Sequence, residues 1–270
     1  MFTGTSEKMR PLIVVKLGGS AITVKDKPFT PNIQTIEEVS RQVSELRGEY
    51  LFILVHGGGS YGHVVASEYR IAEGFFHPDQ LIGLTKVKLR MNELTNLILT
   101  SLASYNVPAV PVTPVSCLTC SSGRVEKFFT EPLRMMLNLG IVPLLPGDVA
   151  MDSSEKRFTI VSGDQIAARL AVELNAMKLI YGTDVDGVFT GDPKHDGNAS
   201  LIPRLSRSMM KNLRASTIVS DVTGGIFRKV EEGFNAAEKG INVIIGNLTK
   251  PGALISIVRE EAVYTTLEPQ

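Results

Sequence analysis

An excess of charge of one sign and long apolar runs are both missing from this chain of 270 residues. Lysine and arginine together number 28, as do aspartate and glutamate, so no overall field draws the protein to nucleic acid or an anionic membrane. No apolar run approaches the roughly 18 residues that a membrane span needs, and residues 1–10 lack the hydrophobic stretch of a signal peptide. We therefore expect a cytoplasmic protein with no nucleic-acid or membrane partner, in which anion binding is local.

Cysteine is nearly absent. Cys117 and Cys120 form a single C-x-x-C, which is the pattern of half a zinc site or of a redox pair. No second ligand pair stands at zinc-like spacing. A thioredoxin-like redox pair would lie at the start of a helix, whereas these cysteines lie in the stretch 115–123, which has no such pattern. We interpret both cysteines as small, half-buried side chains and predict no protein metal site.

Short apolar runs recur between helix-like stretches, as in repeated βαβ units. The runs cover residues 12–15, 51–55, 109–112, 142–145, 178–181 and 242–245. Helices are predicted over about 33–47, 84–105, 132–139, 165–174 and 225–239, and a surface hairpin over 151–161. The pattern predicts an α/β fold with a mostly parallel central sheet covered on both faces. A soft boundary divides it into an amino-terminal lobe, 1–175, and a carboxyl-terminal lobe, 176–270, sharing one sheet in a single structural domain.

Two glycine-rich loops follow the first two apolar runs. They are Lys16-Leu17-Gly18-Gly19-Ser20 and His56-Gly57-Gly58-Gly59-Ser60-Tyr61-Gly62-His63. Loops at the carboxyl ends of buried parallel strands are where open α/β sheets bind ligands, and glycine lets backbone amides approach a phosphate. Lys16 ends an apolar strand, where an unpaired charge is costly, so an anion is its natural partner. The loops therefore predict two anionic groups held face to face.

Further polar loops occur in the second half of the chain. One runs from Tyr181 through Thr183, Asp184 and Asp186 to Gly187, with Lys194 beyond it. The other, Asp221-Val222-Thr223-Gly224-Gly225, opens a helix that carries Lys229, and free amides at a helix start suit a phosphate. Each feature also has a plainer interpretation, namely a tight Asp/Gly turn or a solvated lysine. Clusters of lysines and amides are what phosphoryl transfer requires.

Five segments follow one another as in the amino acid kinase superfamily, which the chain resembles over nearly its whole length. They are Lys16 to Ser20, His56 to Gly59, Ser162-Gly163-Asp164, Thr183 to Val188, and Asp221 to Gly225 with Lys229. The resemblance implies an open αβα sandwich with ATP over the carboxyl-terminal half and a phosphate acceptor over the amino-terminal half.

Within that superfamily, the second loop is most similar to that of the isopentenyl phosphate kinases, because it ends in His63. Acetylglutamate and uridylate kinases lack this histidine, whereas fosfomycin kinases share it. Lys25 also matches, while Tyr61 replaces a usual Phe and Phe227-Arg228 is a bulky variant before Lys229. The resemblance implies ATP-dependent phosphorylation of isopentenyl phosphate, a monoester with an apolar tail, by a homodimer, with Mg2+ carried mainly by the nucleotide phosphates.

The resemblance also implies roles for individual residues. Lys16 and Lys25 would neutralise the transferring group and Asp164 would orient the lysines. The acceptor would be held by Gly58, Gly59, His63 and Gly163. The nucleotide side would comprise Lys16, Gly18, Gly19, Ser20, Gly59, Tyr181, Thr183, Asp184, Asp186, Gly187, Lys194, Gly225 and Lys229. The wall of a slot for the tail would come from Tyr69, Ile82, Gly83, Leu84 and Val87, which equally fit plain core packing.

Alternatives stay open at this point. Asp164 fits a helix cap, and His63 fits an ordinary histidine at a helix start. The same fold would also serve a kinase for another small anion, such as fosfomycin or an amino acid carboxylate. A non-catalytic nucleotide-binding module is a third interpretation, although such a module has no use for three lysines around a migrating phosphoryl group.

Overall fold

The first predicted strand lies near the middle of an eight-stranded sheet in a computed structural model that describes residues 10–216 and 223–269. The strands are β1 (Leu12–Leu17), β2 (Leu51–His56), β3 (Ala109–Pro111), β4 (Leu118–Ser121), β5 (Arg124–Phe128), β6 (Val142–Pro146), β7 (Asp148–Asp152), β8 (Phe158–Val161), β9 (Lys178–Thr183), β10 (Arg204–Leu205), β11 (Asn242–Asn247) and β12 (Thr265–Leu267). The strand order is β10-β12-β11-β9-β1-β2-β6-β3. All of these pairings are parallel except that of β11 with β12.

Helices cover both faces of this sheet, as the sequence predicts. They are α1 (Gly19–Ile22), α2 (Ile33–Leu46), α3 (Gly59–Glu68), α4 (Asp79–Ser104), α5 (Pro114–Cys117), α6 (Glu131–Asn138), α7 (Gly163–Glu173), α8 (Arg207–Ser216), α9 (Thr223–Ala237) and α10 (Ala253–Val258). Alternate residues of β1 point to opposite layers: Val14 packs with α7 and α9, and Val15 packs with α2 and α4. The αβα sandwich is thereby confirmed.

The predicted hairpin at 151–161 belongs to a second sheet, which the sequence analysis missed. Its strand order is β5-β4-β7-β8, with β7 and β8 antiparallel. Both cysteines are free and lie at this sheet, Cys120 buried and Cys117 half-buried. Burial raises the pKa of each thiol to about 11, which makes both thiols unreactive at neutral pH.

The start predicted for α4 is wrong by one and a half turns, because the helix begins at Asp79 rather than residue 84. The side chain of Gln80 accepts hydrogen bonds from the backbone N–H groups of Phe76 and His77, at 2.8 and 3.0 Å, and fixes the chain before the helix. In the described ranges, no helix is long and apolar enough to cross a membrane.

Candidate active site

The loops that follow β1, β2 and β9 meet at the carboxyl edge of the main sheet. The Gly18 N–H donates to the Gly182 carbonyl at 2.9 Å, and the Gly57 N–H donates to the Leu17 carbonyl, also at 2.9 Å. Because β1 pairs with β2 on one side and with β9 on the other, one sheet edge presents loops from both predicted lobes. This is the edge at which open α/β sheets bind ligands.

The two glycine-rich loops touch each other. A Cβ on Gly19 would lie 2.6 Å from the Cα of Gly59, which itself has a φ of +47°. The Thr23 hydroxyl donates to the Gly19 carbonyl at 2.7 Å and accepts from the Ser60 N–H at 3.1 Å. The sequence analysis missed Thr23, which joins the first loop to the start of α3.

A cluster of buried charges lies beside these loops. The ammonium groups of Lys16 and Lys229 contact the same oxygen of Asp164, Oδ1, at 2.8 and 2.9 Å. Lys16 is 6% exposed and Lys229 is 8% exposed. Burial alone would raise the pKa of Asp164, but the two ammonium groups outweigh it and hold the pKa well below its usual range. Asp164 is therefore ionised and shared between two lysines.

Two other predicted residues support this cluster. Tyr181 is fully buried, and its phenol donates to the Asp164 carbonyl at 3.0 Å, while the Lys229 ammonium lies 5.3 Å from its ring centroid. Gly163 leaves room for the lysine, because a Cβ there would lie 3.4 Å from Lys16 Cε. Burial, reinforced by the neighbouring Lys16 charge, lowers the pKa of Lys229.

Lys25 lies apart from this cluster. It is exposed, in a loop that is anchored through Phe29 N–H to the Ser60 carbonyl at 3.4 Å. Lys25 forms no ion pair with any residue in 10–216 or 223–269. This hydrogen bond ties the loop that carries Lys25 to the start of α3, directly after the second glycine loop.

His63 lies in the first turns of α3 and is exposed. Partial desolvation, together with the positive charges of Lys16 and Arg228, lowers its pKa, so its imidazole is neutral at pH 7. Its influence on the cleft is therefore that of a neutral hydrogen-bonding group. Gly58 precedes α3 as its N-cap residue and Gly59 begins it.

His56, at the end of β2, is fully buried and was not predicted as a site residue. Its Nε2 lies 2.9 Å from the Thr95 hydroxyl and its Nδ1 lies 3.1 Å from the Gly57 carbonyl. Burial lowers its pKa to about 4, so the imidazole is neutral and donates one hydrogen bond. Its place at the end of an apolar strand was the available sequence signal.

The carboxyl-terminal loops form a second polar region. Asp184 accepts hydrogen bonds from the Lys194 ammonium and the Ser20 hydroxyl, which ties the first glycine loop to the loop after β9. Asp186 pairs with Lys250 at 2.6 Å. The remaining predicted residues of this region are Thr183, buried; Gly187, packed on Thr265; and Gly225, exposed near the start of α9. Asp221 and Val222 of the predicted motif lie outside the described residues.

Comparison with known proteins assigns the architecture. The model of the amino acid kinase family matches residues 11–247. The chain belongs to the amino acid kinase family.

Relatives of this amino acid kinase match it over nearly its whole length. The isopentenyl phosphate kinase of Methanothermobacter thermautotrophicus is 32% identical over 262 residues, covering 94% of this chain and 98% of the relative. That of Thermoplasma acidophilum is 30% identical over 259 residues, covering 95% of this chain and all of the relative. A crystal structure of an isopentenyl phosphate kinase superposes with a TM-score of 0.83 at 29% identity, covering 95% of this chain and 99% of that one.

The three predicted site carboxylates of this kinase, Asp164, Asp184 and Asp186, are each paired with a lysine. Asp164 binds Lys16 and Lys229, and Asp184 binds Lys194. In the described part of the chain, no three His, Cys, Asp or Glu residues come together in a way that could hold a metal ion. The donor set therefore fits a phosphate-rich ligand rather than a metal ion bound by protein ligands alone.

An apolar cluster adjoins the second glycine loop. Met91 Sδ would lie 3.2 Å from a Cβ on Gly58 and 3.1 Å from one on Gly62. Met91 and Val87 pack with residues of α3 and of the β7–β8 hairpin, and Tyr69 and Leu84 pack against their edge. Ile82 is 60% exposed and lies outside this cluster.

Proposed function

We propose that this amino acid kinase transfers the γ-phosphoryl group of ATP to isopentenyl phosphate and forms isopentenyl diphosphate. The observation that carries the proposal is the position of the second glycine loop between a lysine cluster and an apolar cluster. A phosphate monoester with an apolar tail has these two halves. The relatives named isopentenyl phosphate kinases, similar over nearly the whole of both chains, support the same substrate.

The acceptor needs no general base. The second pKa of a phosphate monoester is near 6, so at neutral pH its oxygen is already ionised and nucleophilic. That oxygen forms a bond to the γ-phosphorus while the bond to the β–γ bridging oxygen breaks, and ADP leaves with no proton transferred. Catalysis then consists of positioning and charge stabilisation.

The chain's residues divide this work. Lys16 and Lys25 neutralise the transferring group, Lys229 holds nucleotide phosphates, and Asp164 keeps Lys16 and Lys229 in place. The Gly58 and Gly59 amides, Gly163 and neutral His63 position the acceptor.

The nucleotide is held on the opposite side, by residues of the first glycine loop and of the carboxyl-terminal loops. These are Gly18, Gly19, Ser20, Gly59, Tyr181, Thr183, Asp184, Asp186, Gly187, Lys194 and Gly225. Mg2+, which screens phosphate charge, arrives with the nucleotide. A homodimer and a cytoplasmic location belong to the same proposal; the homodimer rests on the resemblance to the superfamily, and the location rests on the composition of the chain.

The tail packs against the apolar cluster. Met91 connects this cluster to the second glycine loop, which holds the acceptor. The cluster and its edge also include Val87, Leu84 and Tyr69, three of the residues expected to line the slot for the tail. Gly83 is required there for packing, because a Cβ on it would lie 2.6 Å from Tyr69 Cβ.

The test is ATP consumption by the purified protein with a panel of acceptors. Isopentenyl phosphate, dimethylallyl phosphate, fosfomycin, acetylglutamate, UMP and carbamate are compared at equal concentration, with diphosphate formation followed by phosphorus NMR. We expect the highest kcat/KM with isopentenyl phosphate. Turnover of another acceptor with neither isoprenoid phosphate active would refute the assignment.

A further inference from the structure

An ion pair that the proposed mechanism does not use lies beside the second glycine loop, residues 56–63, which is the acceptor loop of the proposed reaction. Asp148, the first residue of β7, is 1% exposed and accepts hydrogen bonds from the Lys88 ammonium and from the Val149 N–H, the latter at 2.7 Å. Burial raises the pKa of Asp148, while Lys88 opposes that rise. The Lys88 side chain keeps 23% of its surface exposed, so the pair is open to solvent only at the lysine.

The lysine belongs to the face of α4 that lies against the acceptor loop. Lys88, Met91 and Thr95 are spaced by three and four residues, and such residues share one helix face. Met91 packs beside Gly58, and Thr95 hydrogen-bonds His56. The charge of Lys88 contributes to the lowered pKa of His56, as does that of Lys16.

The carboxylate is attached to the other side of the same site. Gly147, the residue before Asp148, donates its N–H to the His56 carbonyl at 2.7 Å. A Cβ on Gly147 would lie 3.0 Å from the Cα of Gly163. The pair thus joins α4 to the point where the loops bearing His56 and Gly163 converge.

We propose that Lys88, held in place by Asp148, is a further cation of the acceptor site and strengthens binding of the doubly charged acceptor phosphate. The inference rests on the proposed function, since the acceptor phosphate is the ligand. His63 and the glycine amides are neutral, so they supply hydrogen bonds but no net charge to a dianion. The Lys88 ammonium is held by Asp148 on the helix face that places Met91 beside Gly58, so it offers the dianion a charged hydrogen-bond donor whose side chain is already ordered before binding.

The experiment compares Lys88→Met with the double variant Lys88→Met/Asp148→Asn. In the single variant a buried carboxylate loses its partner, whereas the double variant restores charge balance and keeps an acceptor for the Val149 N–H. We measure KM for isopentenyl phosphate at saturating ATP, KM for ATP, and Tm. We expect both variants to raise the acceptor KM by about tenfold or more, as for loss of a charged hydrogen bond, with the ATP KM within about twofold of wild type.

The Tm separates this role from a structural one. We expect the double variant to regain the Tm lost in Lys88→Met while its acceptor KM stays high. Recovery of both Tm and KM, or an equal rise of both KM values, would overturn the proposal. If Lys88→Met fails to fold, the double variant alone carries the comparison.

Lys178→Met is the matched control. Lys178 is a buried lysine that, like Lys88, is paired with a carboxylate, Glu260 at 2.7 Å, but it begins β9, at the amino-terminal ends of the parallel strands and away from the site. We expect it to lose Tm with an unchanged acceptor KM. If the proposed function is wrong, the wild-type protein does not turn over isopentenyl phosphate. If only this inference is wrong, the wild type is active and the Lys88 variants keep its acceptor KM. Calorimetric titration of wild type and variants with inorganic phosphate repeats the comparison without turnover.

Discussion

Gly19 and Gly59 lie so close together that neither has room for a side chain: a Cβ on Gly19 would lie 2.6 Å from the backbone N of Gly59. The contact joins the loop after β1 to the loop after β2. A ligand that touches one loop is therefore within reach of the other, and a displacement of either loop moves both. In the proposed reaction, transfer between a donor and an acceptor held by these loops depends on this contact.

Gly59→Ala should nearly abolish turnover. The residue has a φ of +47°, and a Cβ there would lie 2.8 Å from Thr23 Cγ2, so both backbone and packing resist the methyl group. We expect kcat to fall by about 100-fold, the effect of misplacing reacting groups by roughly 1 Å. Steady-state kinetics measures it. Gly48→Ala is the control, because nothing lies within 4 Å of a Cβ there, and a similar loss in that variant would contradict the argument.

Asp164→Asn should destabilise the protein and increase its response to ATP. The change leaves Lys16 and Lys229 buried without their shared carboxylate, at a cost of about 3 kcal/mol in the free energy of unfolding. Urea denaturation measures the loss, and thermal shift measures the response to ATP. Nucleotide phosphates replace the missing negative charge, so ATP should raise the Tm of the variant more than that of wild type. Equal shifts would contradict this account, and Glu93→Gln, at an exposed pair, should change neither quantity.

His63→Ala should affect the acceptor and spare the nucleotide. Loss of the neutral imidazole should raise the acceptor KM by about tenfold and lower kcat, since it removes a hydrogen bond to an ionised group. His63→Asn should recover part of the loss because it keeps a donor at a similar position. Initial rates with each substrate varied in turn provide the measurement, with exposed His77→Ala as control. A matching rise in the ATP KM would contradict this prediction, because it would show that His63 also contacts the nucleotide.

His56 should make stability depend on pH. Its pKa is lowered from 6.5 to about 4, so between these values the unfolded chain binds the proton and the folded chain does not. The stability difference between wild type and His56→Asn should therefore be greatest above about pH 6.5 and decline by about 3 kcal/mol as the pH falls to 4. Urea denaturation across this range measures it. Parallel curves for the two proteins would disprove a buried neutral imidazole.

The central strands were predictable because they are buried on both faces and read as unbroken apolar runs. The run at 12–15 became β1, Leu12–Leu17, and the run at 178–181 became β9, Lys178–Thr183. Lys16, Asp164 and Lys229 were expected around one site, and the structure brings these three together. A charge at the end of an apolar strand was the local signal for Lys16.

The rest depends on contacts between distant segments. The second sheet exists because β4 pairs with β7, and neither strand has the long apolar run that marks β1. The pairing of Lys88 with Asp148 joins the middle of a helix to the start of a strand, so the sequence around either residue does not predict its partner. Lys25 was matched to the family motif by its spacing from Lys16, but that spacing did not predict that its loop lies apart from the Asp164 cluster.

The burial of β1 in the sheet makes Lys16 less mobile than Lys25. Every residue of β1 is buried, and Ile13 to Leu17 are paired on both sides, so the amides of these five residues should exchange with solvent only when the whole sheet opens. Lys16 is thus fixed before any substrate arrives. Lys25, on an exposed loop, belongs to a segment that opens with far less free energy. In the proposed reaction Lys16 is therefore ordered before the substrates bind, whereas Lys25 lies on a loop that opens more easily.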